Sequence, residues 1–251
     1  MSQQPTRRIV IGDVHGHYEG MMNLLDAIAP GSQDQVYFLG DLIDRGPQSC
    51  EVIEFVKNSS YQSLLGNHEH LLLEAFPNEQ VYPPALQAWL QSGGRATVSS
   101  YNAMDLLAEH VKWIRTLPTY LDLGDVWLVH AGVNPDLPIE QQGHSEFCWI
   151  RDEFHSSRQP YFPDKTIITG HTITFTFQGV VPGAVACGQG WIDIDTGAYH
   201  PKSGWLTALE IDAQRVYQVN VYTNQVRTLM LDEIVMPVEP RKRGRQQALR
   251  L

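Results

Sequence analysis

Short apolar runs closed by glycine and a polar residue recur along the chain: RRIVIGD at 7–13, QVYFLGD at 35–41, YQSLLGN at 61–67, VWLVHAG at 126–132 and TIITGHT at 166–172. Brief Val-, Ile- and Leu-rich runs of this kind predict buried strands. Between the first three lie stretches with helical spacing. Met21, Leu24, Leu25 and Ile28 fall on one helix face that stops at Pro30, and Val52, Ile53 and Val56 repeat the pattern behind Ser49, a candidate cap. Strands alternating with helices at this spacing imply parallel pairing through right-handed crossovers.

Residues 68–117 read as mostly helical, with Gly93 and Gly94 as a helix stop. Beyond 166 the chain reads as β-hairpins, and period-two alternation is clear in RVYQVNVYT at 215–223. The pattern predicts one α/β domain over residues 1–240 with a second, hairpin-rich sheet. A basic tail at 241–251 is expected to be disordered.

Composition narrows the setting. No apolar stretch approaches the roughly 20 residues of a membrane helix, and the opening MSQQPTRRIVIGD lacks the form of a secretory signal. Cys50, Cys148 and Cys187 are odd in number and widely spaced, which excludes a disulfide framework and a thiolate zinc site and suits a cytoplasmic location. The formal charge is −10, and the tail carries five cations and no acid, so residues 1–240 sum to −15. A body this acidic argues against nucleic acid as a partner.

The five runs share one chemical feature. They end in Asp13 and His15, in Asp41, in Asn67 and His68, in His130 and in His171. Ligands of open α/β sheets bind beyond the carboxyl ends of the strands, so these groups are expected at one sheet edge. Asp13, His15, Asp41, Asn67, His130 and His171 offer oxygen and nitrogen donors and no thiolate. That set suits two divalent ions, with Mn²⁺ favoured and Fe or Zn²⁺ as alternatives. A carboxylate such as Asp41 can bridge such a pair, and a hydroxide between the ions would be the nucleophile. The net positive charge would attract an anion. Arg45 suits a phosphate's paired oxygens, His68 can protonate a leaving group, and Asp44 can orient that imidazole.

The motifs GDVHG (12–16), GDLIDRG (40–46), GNHE (66–69), HAG (130–132) and GHT (170–172) resemble the five signatures of the phosphoprotein phosphatase branch of the calcineurin-like metallophosphoesterases. IDTGA at 194–198 resembles the bacterial and phage members, such as the bacteriophage lambda protein phosphatase. The resemblance implies a metallophosphoesterase-type β-sandwich flanked by helices, with a dinuclear metal site at the C-terminal strand ends. By it, Asp13, His15 and Asp41 hold one ion, and Asp41, Asn67, His130 and His171 the other. Asp44 and His68 would form the acid dyad, while Arg45, Arg151 (in WIRDEF, 149–154) and Asn67 would contact the substrate phosphate. The implied activity is a serine/threonine protein phosphatase, extended to phosphotyrosine, with phosphoprotein or phosphopeptide partners.

A rival reading is a symmetrical dinucleoside tetraphosphate hydrolase, whose sequences GPQSCEVIEFVK at 46–57 resembles. Those enzymes generally lack an aspartate at the position of Asp44, and on that ground the phosphoprotein reading is preferred. His17 is expected at the rim, and His70, His110, His144, His155 and His200 in surface or capping roles. The tryptophans are expected in the core or rim, and Asp195 is a candidate neighbour of the ligands.

Overall fold

The structure is a computed structural model that describes residues 6–240. The basic tail lies outside the described residues. Among the described residues twelve strands form two six-stranded sheets. The first contains β1 (Arg8–Ile11), β2 (Gln35–Phe38), β3 (Gln62–Ser63), β9 (Trp205–Glu210), β10 (Arg215–Asn220) and β11 (Val226–Met230), in the order β11-β10-β9-β1-β2-β3. The second contains β4 (Tyr120–Asp122), β5 (Val126–Val129), β6 (Thr166–Thr169), β7 (Val185–Gly188), β8 (Trp191–Asp193) and β12 (Val235–Pro237), in the order β12-β7-β8-β6-β5-β4.

The pairing between β1, β2 and β3 is parallel, as the intervening helices α1 (Tyr18–Ile28) and α2 (Ser49–Asn58) require. Strands buried on both faces explain the unbroken apolar runs. Val10, Leu128 and Ile168 belong to one buried cluster, whereas their chain neighbours Ile9, Ile11, Val129 and Ile167 belong to another. Alternate side chains of a strand point to opposite faces, so β1, β5 and β6 each feed two cores.

Three local expectations need correction. The hairpin strands β9 to β11 do not build a separate sheet; they extend the first one, with β9 antiparallel to β1. Residues 174–176 form a 3₁₀ turn rather than a strand, its Thr174 Oγ1 donating to the Ala184 carbonyl. Ser49 is not a cap: it is the first residue of α2, and its hydroxyl accepts from the Asp44 backbone N–H at 3.1 Å. The helical region does appear, as α3 (Asn67–Ala75), α4 (Pro83–Trp89), α5 (Arg95–Ser100) and α6 (Met104–Ile114). Two further short helices, α7 (His144–Phe147) and α8 (Asp152–His155), lie between β5 and β6. Among the described residues no helix is long and apolar enough to cross a membrane, and the three cysteines are free.

Candidate metal centre and active site

The loops following β1, β2, β3, β5 and β6 converge at one edge. Asp13, His15, Asp41, Asn67, His130 and His171 are all buried, none more than 6% exposed. Two clusters of ligand-type atoms form, one from His15, Asp41 and His68 and the other from Asp41, His130 and His171, with the atoms of each within 4.8 Å of one another. Asp41 belongs to both, as expected of a shared ligand. Asp13 stands outside these tight groups, its carboxylate accepting the His171 backbone N–H at 3.1 Å.

Hydrogen bonding tests whether the set fits a metal. His130 Nδ1 lies 2.9 Å from the Leu39 carbonyl, which can only accept, so this nitrogen carries the proton. In the neutral ring Nε2 is then an acceptor, yet it faces Asn67 Oδ1 at 2.9 Å and Asp41 Oδ1 at 3.4 Å. Burial holds the His130 pKa below its usual value, so protonation does not relieve the conflict. His15 repeats the pattern. Its Nδ1 donates to the Ile43 carbonyl at 3.0 Å, and Nε2 faces Asp41 Oδ2 at 3.6 Å. His171 Nε2 is buried without a partner. Burial, then the charges of Asp195, Asp41 and Asp193, raise Asp13 well above the usual carboxylate range. The His130 and His15 Nε2 lone pairs, each turned toward an acceptor oxygen of Asn67 or Asp41, fit divalent cations.

The backbone around these groups is strained. His15, Asp41, Asp44, Arg45 and His171 have φ of 46°, 49°, 71°, 70° and 69°, in the left-handed region that costs a non-glycine residue roughly 1–2 kcal/mol. Glu69 helps to sustain this. Its buried carboxylate accepts from the backbone N–H of Asp41 and Leu42 at 2.8 Å and of Gly66 at 3.0 Å, locking the β2 and β3 loops together. At position 66 a Cβ would meet Asp41 N at 2.3 Å, so only glycine lets the two loops touch.

The dyad is assembled. His68 Nδ1 lies 2.6 Å from Asp44 Oδ2, and Arg45 Nη2 donates to His68 Nε2 at 2.9 Å. Burial works against the charged imidazole, but the Asp41 charge and the Asp44 hydrogen bond outweigh it and raise the His68 pKa. Asp44 is held in turn by Trp89 Nε1 at 3.0 Å and Thr97 Oγ1 at 2.6 Å. Gly93 breaks the helical run between them with φ 126°, and its carbonyl accepts from Arg45 N at 3.3 Å. The predicted helix stop thus abuts the arginine loop.

Arg45 lies 4.0 Å over the Tyr199 ring, and Arg151 Nη1 donates to the His171 carbonyl at 3.2 Å and to Thr172 Oγ1 at 3.1 Å. Both arginines line a cleft of about 130 Å³ together with His15, Asp41, Asn67 and His171. Asp195 also lines it, and burial pushes its pKa up to about 6. All ten residues named from the sequence therefore meet in one region. Glu69, Trp89, Thr97 and Tyr199 were missed as site residues. Glu69 closes the GNHE motif and was legible there; the others sit in segments without a chemical signature. His17 is at the start of α1, edge-on to Tyr222 and outside both clusters. Two histidines expected at the surface are buried instead: His110 between Tyr101 and Glu54, and His155 against Trp191.

The calcineurin-like phosphoesterase family model matches residues 6–193, three quarters of the chain. The chain belongs to that family. Its relatives include proteins named bis(5'-nucleosyl)-tetraphosphatase, symmetrical: one from Actinobacillus succinogenes is 35% identical over 50% of this chain and 44% of its own, and one from Coxiella burnetii is 36% identical over 55% and 45%. The chain spans about half the length of the curated relatives it matches. A crystal structure described as that of a candidate diadenosine tetraphosphatase superposes with a TM-score of 0.61 at 20% identity, covering 91% of this chain and 95% of that one, a likeness of fold.

These names overturn the serine/threonine protein phosphatase expected from the motifs, and with it the phosphoprotein partners. Nothing in these names supports the phosphoprotein phosphatase branch or its lambda member. The error came from treating Asp44 as a marker of substrate. Its contacts are all internal, to His68, Trp89, Thr97 and Ser49. A carboxylate that orients an imidazole does not read the group esterified to the phosphate.

Proposed function

We propose that this calcineurin-like phosphoesterase hydrolyses symmetrical dinucleoside tetraphosphates to two nucleoside diphosphates. The observation that carries the chemistry is the meeting of two acceptor clusters on Asp41 beside a His68–Asp44 dyad and two arginines. The relatives' names supply the substrate class.

Asp13, His15 and Asp41 would hold one divalent ion, and Asp41, Asn67, His130 and His171 the other, with Mn²⁺ the first choice for this mixed donor set. When bound, such ions polarise phosphoryl oxygens and acidify water enough to serve as nucleophile near neutral pH. The chain's own residues do the rest. Arg45 and Arg151, which line the cleft together with Asn67, bind the phosphoryl oxygens. His68 gives its Nε2 proton to the bridging oxygen as the central P–O bond breaks, and that oxygen leaves with the second nucleoside diphosphate. Asp44 keeps the imidazole turned so that Nε2 faces the cleft-lining Arg45. Arriving phosphate draws the Arg45 guanidinium off His68 Nε2 and frees that atom for the proton.

The test is a side-by-side measurement of kcat/KM on diadenosine tetraphosphate, a phosphoserine peptide and a phosphotyrosine peptide with Mn²⁺. A preference for the dinucleotide of tenfold or more is expected. Equal or faster turnover of either peptide would reject the proposal.

A further inference from the structure

Trp149 lies outside both ligand clusters and the His68–Asp44 pair. Of the six tryptophans it is the one exposed among the described residues, at 37%, and it lies in the turn between α7 and α8, two residues before Arg151. Its ring stands near-perpendicular to the candidate ligand His171, centroids 6.4 Å apart, and to His70 at 6.3 Å. Its Nε1 donates to His70 Nδ1 at 3.4 Å, and His70 is stacked at 4.8 Å on His144. The indole is thus held between His70 and His171 and remains 37% exposed next to His171, which lines the phosphate cleft.

We infer that Trp149 is a nucleobase-stacking residue, placed to hold the purine of a bound nucleoside polyphosphate while Arg151 takes its phosphates. This deepens the proposed function and rests on it for the substrate class. A buried indole adds to a core; an exposed one next to residues that line a phosphate site offers a π-surface that any base can stack upon. Position agrees with the chemistry of the ligand. The base of a nucleoside diphosphate lies beyond the scissile phosphoryl group by a second phosphate and a ribose, outside the metal cleft rather than in it. Arg151 lines the cleft and contacts the carbonyl of His171, whose ring also meets the indole, so guanidinium and indole flank the same residue. His70 is a positioning residue that sets the rotation of the indole.

The experiment compares inhibition by ADP and by inorganic pyrophosphate, with p-nitrophenyl phosphate as reporter substrate, in the wild type, Trp149→Ala and Trp149→Phe. Stacking removed by alanine typically costs ~5- to ~150-fold in affinity. Trp149→Ala should therefore raise the ADP inhibition constant by about tenfold and leave that of pyrophosphate unchanged, and Trp149→Phe should recover most of the loss. A fluorescence titration without turnover gives a second readout: ADP should quench the wild type, and most of the quenching should vanish in Trp149→Phe. Parallel changes for ADP and pyrophosphate, no change for ADP, or undiminished quenching in Trp149→Phe would overturn the inference. The reporter separates the two claims. Base-dependent inhibition without cleavage of diadenosine tetraphosphate leaves the stacking site standing and rejects the proposed activity; cleavage with equal ADP constants in wild type and Trp149→Ala does the reverse.

Discussion

The Trp89 indole donates to Asp44 across 45 positions of sequence, its Nε1 lying 3.0 Å from Oδ2, the same oxygen that faces His68 Nδ1 at 2.6 Å. The helical stretch at 83–100 therefore reaches the His68–Asp44 pair. Trp89→Phe keeps an aromatic filling and deletes one hydrogen bond to a carboxylate, an interaction of about 1.5–3 kcal/mol. We expect kcat to fall roughly tenfold or more with bound metal unchanged. Metal analysis beside steady-state kinetics checks this, and a loss of metal in parallel with kcat would point to collapse of the centre instead.

That relationship marks the limit of what the sequence conveyed. Parallel strands were legible because burial on both faces leaves unbroken apolar runs, and the ligands because they follow those strands at glycine-marked turns. Trp89 and Thr97 were not legible. They reach Asp44 through helix packing, and no spacing along the chain encodes a contact made between segments. The strands after residue 200 read correctly as hairpins, but alternation fixes a strand's faces and not its partner, so their attachment to β1 was missed. The substrate was misread because Asp44 reports on the acid, not on the leaving group.

His68 should matter in proportion to the leaving group. Loss of a general acid costs roughly 10²–10⁴-fold in rate. His68→Asn should show that cost on an alkyl phosphate, whose alkoxide needs a proton, and a smaller one on diadenosine tetraphosphate, whose leaving diphosphate is far more stable. Rates on both substrates decide it. Equal losses would remove His68 from proton transfer.

Asp41 faces both histidine clusters, with His15 Nε2 at 3.6 Å and His130 Nε2 at 3.4 Å. Asp41→Asn should lower occupancy of both ions and abolish detectable turnover, and chelation of the wild type should do the same, reversibly on adding Mn²⁺. Elemental analysis of the dialysed variant is the check. Retention of both ions would contradict a shared ligand.

Acid should weaken the fold partly through His155. Burial lowers its pKa to about 3, from the usual 6.5, so the unfolded chain binds a proton that the folded one refuses. Its stabilising contribution is complete above pH 6.5 and is lost as pH falls toward 3, with a slope of at most about 1.4 kcal/mol per pH unit. Asp193, 3.6 Å away, has a raised pKa from burial and titrates with the opposite sign, so the wild-type slope alone does not isolate His155. Denaturant unfolding of wild type and His155→Gln from pH 7 to 4 does. The variant should lose less stability over that range, and parallel curves would contradict the assignment.

The central claim concerns which bond breaks. Diadenosine tetraphosphate incubated with the Mn²⁺-loaded protein and resolved by ion-exchange chromatography should yield ADP as the sole nucleotide product, since attack at the central linkage splits the molecule evenly. AMP together with ATP, or an intact dinucleotide under conditions where a phosphoserine peptide is dephosphorylated, would contradict it.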